Sequence, residues 1–181
     1  MIIYVFLAEG FEEIEAIAPI DIFRRANMEV ITVSISSNKT VCGAHGIKVM
    51  ADTVFADINF NGDYLLFLPG GMPGTLNLEK HTGLSDLILK QAEQNKEIAA
   101  ICAAPSVLGK LGLLKGKKAV CYPGFENNLH DAEISDQKLI KSGNIYTAKA
   151  AGVSINFALK IVEELKGVEQ SESIAKAIFW N

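Results

Sequence analysis

"IAAICAAPSVLG", residues 98–109, joins two kinds of local pattern at a single cysteine. Residues 96–101 end in a short continuous apolar run, as a strand buried on both faces requires. The stretch "APSVLGKLGLL" (104–114) carries helical spacing instead. Cys102 falls on the junction, with Ala100 two residues before it and Ala104 two after. A nucleophile on a sharp strand-to-helix turn needs such small neighbours, because bulky ones would collide where the chain doubles back. Unpaired N–H groups and the positive end of the helix dipole would then favour the thiolate. The competing reading is an inert packed thiol, since cysteine is among the most buried residue types. Position and small flanks together favour a functional Cys102, whereas Cys42 and Cys121 lack this context and read as structural.

The same alternation runs through the chain. "MIIYVFLA" (1–8), "EVITVSIS" (29–36), "DYLLFLPGG" (63–71) and "KKAVCYP" (117–123) read as strands. "TVCGAHGIKVMAD" (40–52) and residues 138–150 read as hairpins, the second turning at Ser142–Asn144. Helices are predicted over 12–27, 82–95, 104–114, 153–167 with Gly167 as a stop, and 171–180. In the first of these the spacing of Ile14, Ile17, Ile20 and Phe23 or Ala26 predicts the inward face. Strands separated by helices, with continuous apolar strand cores, predict an α/β three-layer sandwich around a mainly parallel sheet.

At 181 residues, 49% hydrophobic and 21% charged, the composition is that of one globular domain spanning 1–181. Seventeen basic against 21 acidic residues give a net charge of −4, no footprint for nucleic acid or an anionic membrane. No apolar run approaches the roughly 20 residues of a membrane span. The N-terminus has no basic region or cleavage site of a signal peptide. Three cysteines and three histidines without metal-ligand spacing predict free thiols in a reducing cytoplasm, and no metal site.

Two further junctions bear on chemistry. In "AEGFEEIEA" (8–16), Glu12, Glu13 and Glu15 open a helix, where carboxylates complement the dipole. That explanation suffices for Glu12 and Glu13. Glu15 stands next to the expected inward Ile14, and Pro19, four residues on, leaves its carbonyl without the usual helical partner. Pattern alone leaves it between a dipole partner and a buried, protonated donor to sulfur. In "LPGGMPG" (68–74), two glycines after a strand let backbone N–H groups approach a ligand, as an oxyanion hole requires.

With "GFEEIEAIAPIDIFRRA", "LPGGMPG", "AAICAAPSVL" and "FALKIVEELKG" lying in this order, the chain resembles the DJ-1/PfpI superfamily, in its DJ-1/YajL/ThiJ branch. The resemblance covers nearly the whole chain. It implies a flavodoxin-like fold, similar to class I glutamine amidotransferases, and a homodimer. It also implies an oxidation-sensitive Cys102 on a nucleophile elbow, partnered by a protonated Glu15. By the same likeness the amides of Gly70, Gly71 and Ala103 form the oxyanion or substrate pocket, with Arg25 near it at the dimer interface. Many relatives carry a histidine near the cysteine where this chain has Tyr122, so a Cys-His dyad is not expected. Ala103 replaces the histidine of the protease-like branch, which argues against peptidase chemistry. The "GPG" loop of the family reads Ala150–Ala151–Gly152 here, and His45 stands where relatives often carry an arginine. His45, His81 and His130 read as solvated residues.

The leading expectation is an enzyme acting on reactive carbonyls, a glutathione-independent glyoxalase or protein deglycase that needs no cofactor. Its substrate would be a small reactive carbonyl or a glycated group. The alternative is a non-catalytic oxidative-stress sensor or chaperone-like dimer whose Cys102 is oxidised to sulfinate. A role in thiamine-precursor metabolism, inherited from family naming, finds no Gly-x-Gly-x-x-Gly phosphate fingerprint here.

Overall fold

The computed structural model describes residues 1–180. In chain order the strands are β1 (Ile2–Leu7), β2 (Glu29–Ser34), β3 (Thr40–Cys42), β4 (Lys48–Met50), β5 (Thr53–Val54), β6 (Tyr64–Leu68), β7 (Ile98–Ile101), β8 (Lys118–Ala119), β9 (Glu133–Ile134), β10 (Leu139–Ser142) and β11 (Ile145–Ala148). The helices are α1 (Glu13–Arg25), α2 (Gly74–Lys80), α3 (Thr82–Glu93), α4 (Pro105–Lys110), α5 (Ser154–Lys166) and α6 (Val168–Ala177). A seven-stranded sheet runs in the order β10-β11-β7-β6-β1-β2-β5, parallel throughout except for the β10–β11 hairpin. The protein is therefore an α/β sandwich on a mainly parallel sheet.

The strands are apolar without interruption because both of their faces are covered. Ile3, Val5 and Leu7 of β1, with Phe67 of β6 and Ile101 of β7, pack in one core with α1 and α5. The alternate residues Tyr4, Phe6, Leu66, Leu68 and Ala100 pack in a second core with α3 and α4. β1, β6 and β7 are adjacent central strands, so the ends of β6 and β7 open side by side, next to the start of α1. The β3–β4 hairpin is separate from the large sheet and leans on that same end, where the Ala44 N–H donates to the Phe11 carbonyl at 2.8 Å.

Four expectations are corrected. On α1, Ile20, Phe23 and the following Ala26 are buried as expected, but Ile14 and Ile17 are 56% and 42% exposed, and Glu15, Ala16, Pro19 and Ile22 turn inward instead. The expected strand over 117–123 shrinks to β8, which pairs with β9 in a sheet of its own. Beyond it, Val120 N–H bonds the Thr147 hydroxyl and Tyr122 N–H bonds the Cys102 carbonyl, so this segment dresses the strand ends instead of extending a ladder. The helix expected over 104–114 stops at Lys110, with Gly112 at φ 74° in the turns that follow. The Pro/Gly-rich stretch after β6 hides a short helix, α2, and β5 is a two-residue edge strand that periodicity cannot register.

Candidate active site

Cys102 is the first residue after β7 and holds φ at 65°, the left-handed region that costs a non-glycine residue about 1 kcal/mol or more. The surroundings over-determine this geometry. The Cys102 N–H donates to the Ala148 carbonyl at 2.9 Å, and its carbonyl accepts the Tyr122 N–H at 2.7 Å. The Ala104 N–H returns to the Ile101 carbonyl at 3.0 Å, and the Ser106 hydroxyl caps the Ala103 carbonyl at 2.7 Å. Ala100 and Ala104 are fully buried, so larger side chains at either place would meet packed core.

Glu15 is 0% exposed. Its Oε2 accepts the Gly70 N–H at 2.9 Å, and its Oε1 is buried without a hydrogen-bond partner. Gly70 is the spacer between acid and thiol. A Cβ there would lie 2.7 Å from both the Cys102 Cβ and the Glu15 Oε2, so only glycine lets the two groups meet. Gly71, at φ 90°, is pressed against the backbone of Gly10, Phe11 and Glu12.

Burial pushes Glu15 up to about 7, against the opposing pull of the Cys102 thiol and the Gly70 N–H. Burial also pushes the Cys102 thiol up to about 12, and the charge and hydrogen bond of Glu15 add to it. The N–H groups of Ala103 and Gly71 pull the other way. A charged Glu15 thus works against a thiolate on Cys102. Once Glu15 is protonated, its charge no longer opposes the thiolate and its hydroxyl can donate to the sulfur.

A pocket of about 230 Å³ opens on Cys102, lined also by Glu12, Gly71, Met72, Ala103, Tyr122 and Phe125. Tyr122 and Phe125 meet edge to face, with ring centroids 6.4 Å apart. The structure thus brings Cys102, Glu15, Gly70, Gly71 and Ala103 together. It does not bring Arg25 to them within the chain. Ten residues of helix, a rise of roughly 15 Å, separate it from Glu15, and its Nε is 2.6 Å from Asp21 Oδ2 one turn back.

Sequence reasoning missed Glu13. This carboxylate is 5% exposed and accepts the His45 N–H at 2.8 Å, with His45 Nδ1 2.8 Å from its other oxygen. His45 Nδ1 also lies 3.5 Å from Glu12 Oε2. Burial alone would raise Glu13, but the hydrogen bonds from the His45 ring and the backbone outweigh it and hold the carboxyl below the ordinary range. Conversely, its hydrogen bond to Glu13, then the charges of Glu12 and Glu13, raise His45. Glu12, Glu13 and His45 place ligand atoms within 4.8 Å of one another, a set that a metal ion could engage. No local spacing signals it, because the partners are 32 residues apart and meet through the β3–β4 hairpin.

The chain thus carries a cysteine at a left-handed strand-to-helix turn of an α/β sandwich, beside a buried carboxyl. The chain belongs to the DJ-1/PfpI family, which it matches over residues 1–164. Protein DJ-1 homolog B of Arabidopsis thaliana is 36% identical over 172 residues, 94% of this chain and 39% of that protein. The chain thus spans less than half the length of the Arabidopsis relatives. The glutathione-independent glyoxalase DJR-1.2 of Caenorhabditis elegans is 29% identical, with 94% of this chain and 91% of that one covered. Oxidised Toxoplasma gondii DJ-1 superposes with a TM-score of 0.94 at 35% identity, covering 99% of this chain and 98% of that one. Among the described residues no helix is long and apolar enough to cross a membrane.

Proposed function

We propose that the chain is a cysteine-dependent enzyme acting on reactive carbonyls, of the glutathione-independent glyoxalase or protein deglycase type, working in the cytoplasm. The observation that carries this reading is the seating of Glu15 and Cys102 on either side of Gly70, with the acid raised to about 7. An acid-base group is most effective near the working pH. The name of the Caenorhabditis relative adds support.

In this reading a 2-oxoaldehyde such as methylglyoxal enters the pocket and the Cys102 sulfur adds to its aldehyde carbon. The thiol proton passes to Glu15 and on to the carbonyl oxygen, which the Gly71 and Ala103 N–H groups hold during the addition. Glu15 then moves the proton from the hemithioacetal carbon to the neighbouring keto carbon, while the hydroxyl proton on the first carbon passes to the keto oxygen. The first carbon is oxidised to a thioester and the second reduced to an alcohol. Water releases the hydroxy acid and restores the thiol. Glycated thiols or amines would follow the same course after exchange onto Cys102.

The test is lactate formation from methylglyoxal without glutathione. Wild type should form lactate, with kcat/KM climbing tenfold per pH unit below about 7 and levelling above it, as Glu15 loses its proton. Glu15→Gln should lower kcat by about 10²–10⁴ and erase that limb, and Cys102→Ser should be inactive. No lactate above the Cys102→Ser background sinks the reading.

The active unit in this proposal is a homodimer. Ile14, Ile17, Ala18 and Ile47 form an almost wholly apolar surface between α1 and the hairpin, edged by Glu13 and Asp21. Exposed isoleucines so grouped are what a second copy would cover. Sedimentation equilibrium should give twice 19.6 kDa, and a single-chain mass refutes it.

A second reading has its own observation. Cys102 is only partly buried, and the Gly71 and Ala103 N–H groups favour negative charge at its sulfur. Two equivalents of peroxide would convert the thiol to sulfinate with release of two waters, making the chain a redox sensor. Glu15→Gln separates the readings: the sensor would keep oxidising at Cys102 and lose only the stability of the product.

A further inference from the structure

We propose that Glu12 is the general base for the water that frees the acyl group from Cys102, so that two carboxylates three residues apart divide the reaction. This rests on the carbonyl-enzyme reading and assigns the residue that carries its last step.

The lining of the pocket decides which group meets that water. Glu15 is fully buried, with Gly70 between it and the thiol, and it does not line the pocket. It reaches an adduct held on the sulfur, whereas water attacks a thioester carbonyl from the open side. On that side Gly71, Met72, Ala103 and Phe125 carry no side chain able to take a proton, which leaves the Tyr122 hydroxyl and the Glu12 carboxylate. Of these two a carboxylate is by far the better proton acceptor.

Glu12 is also free to serve. His45 Nδ1 lies 2.8 Å from Glu13 Oε2 but 3.5 Å from Glu12 Oε2, so the ring is engaged by the neighbouring carboxylate. Glu12 stands at the N-cap of α1, yet its side chain makes no capping hydrogen bond. It is partly exposed where Glu15 is sealed, and its charge reaches the buried acid, which it helps to raise.

The step balances without a further reactant. Water adds its oxygen to the thioester carbon and gives one proton to Glu12. The oxyanion so formed takes the Gly71 and Ala103 N–H groups. When the carbon–sulfur bond breaks, the carboxylic acid leaves, the sulfur departs as thiolate, and the proton on Glu12 passes to it. Thiol and carboxylate are both restored.

The experiment reads this step apart from the earlier ones. Cys102 is acylated either by methylglyoxal or directly by p-nitrophenyl acetate, and loss of the acyl group from the Cys102 peptide is followed by mass spectrometry. Glu12→Gln should lose it about 10²–10⁴-fold more slowly than wild type, so that the thioester accumulates. In Glu12→Ala the rate should rise in proportion to added formate, a carboxylate small enough to enter the vacated space. Both variants keep the Glu12 N–H bond to the Gly70 carbonyl and the bond from the Ala16 N–H, so the start of α1 stays in place. A carboxylate that served only the helix dipole would change the thermal midpoint and leave deacylation untouched. Equal deacylation by Glu12→Gln and wild type, no response of Glu12→Ala to formate, or a Cys102 that neither compound acylates overturns the assignment. Glu12-dependent loss of acetate without lactate from methylglyoxal would keep Glu12 as the base and remove the enzyme reading. Lactate from wild type with unchanged deacylation in Glu12→Gln would do the reverse.

Discussion

Glu13 and Glu15 are two residues apart on the first turn of α1, both are buried, and they titrate in opposite directions. Burial pushes each of them up. Glu13 is met by the His45 ring and by the backbone N–H groups of His45 and Ile47, which together overcome it. Glu15 is met by the Gly70 N–H and the Cys102 thiol, and one of its oxygens is left without a partner. The lesson is that donors, not depth, separate a structural carboxylate from one able to exchange a proton near neutrality. The helix turn aims the two side chains differently: Glu13 towards the hairpin, Glu15 into the gap between β6 and β7.

The largest expected effect follows from the sign of the Glu15 shift. A carboxyl raised from 4.5 to about 7 stabilises the fold fully below pH 4.5, and this contribution is lost as pH rises through 7. At pH 8 the buried charge costs the fold up to about 3 kcal/mol. Glu15→Gln, neutral and of the same shape, should therefore be more stable than wild type at pH 8 by a sizeable part of that amount. The gain should shrink towards zero near pH 4.5. Denaturant midpoints at pH 5, 6.5 and 8 check this. A Glu15→Gln protein less stable than wild type at pH 8 would mean that Glu15 carries its charge at little cost, and the contrast with Glu13 would fall.

That contrast also marks where the sequence was legible. β1, β6 and β7 could be read because strands buried on both faces leave no polar residue in the run. Cys102 could be read because its small neighbours and its place at the end of β7 are local facts. The start of α1 was misread for a physical reason, while Ile20, Phe23 and Ala26 are buried as expected. Ile14 and Ile17 are apolar yet exposed, and Glu15 is charged by type yet lies inward, so a rule that sends apolar residues to the core inverts this turn. The path of the segment after β8 was hidden because it abandons the ladder to bond the Cys102 carbonyl, an arrangement no periodicity encodes. Glu13 read as a dipole partner because its real partner arrives on a hairpin 32 residues later.

The smaller effect concerns that partner. Glu13→Gln keeps the side chain's length but removes the charge that two backbone N–H groups and the His45 ring share. Losing such charge-assisted bonds at a buried acceptor should cost about 1–2 kcal/mol at pH 6. The pH dependence has two edges of opposite sign. A carboxyl held below 4.5 stabilises the fold above the ordinary carboxylate range and loses that contribution as pH falls through its lowered value. A histidine raised above 6.5 contributes below its ordinary value and loses the contribution as pH rises through the raised one. Wild type should therefore exceed Glu13→Gln by the most between about pH 4.5 and 6.5, and by less on either side. Thermal midpoints at pH 3.5, 5.5 and 8 resolve the shape. A difference that vanishes at pH 5.5, or a Glu13→Gln protein more stable than wild type at pH 8 as Glu15→Gln should be, would place Glu13 in the same class as Glu15. The hairpin would then be held to α1 by Phe11, Ala44 and their backbone bond, not by the carboxylate.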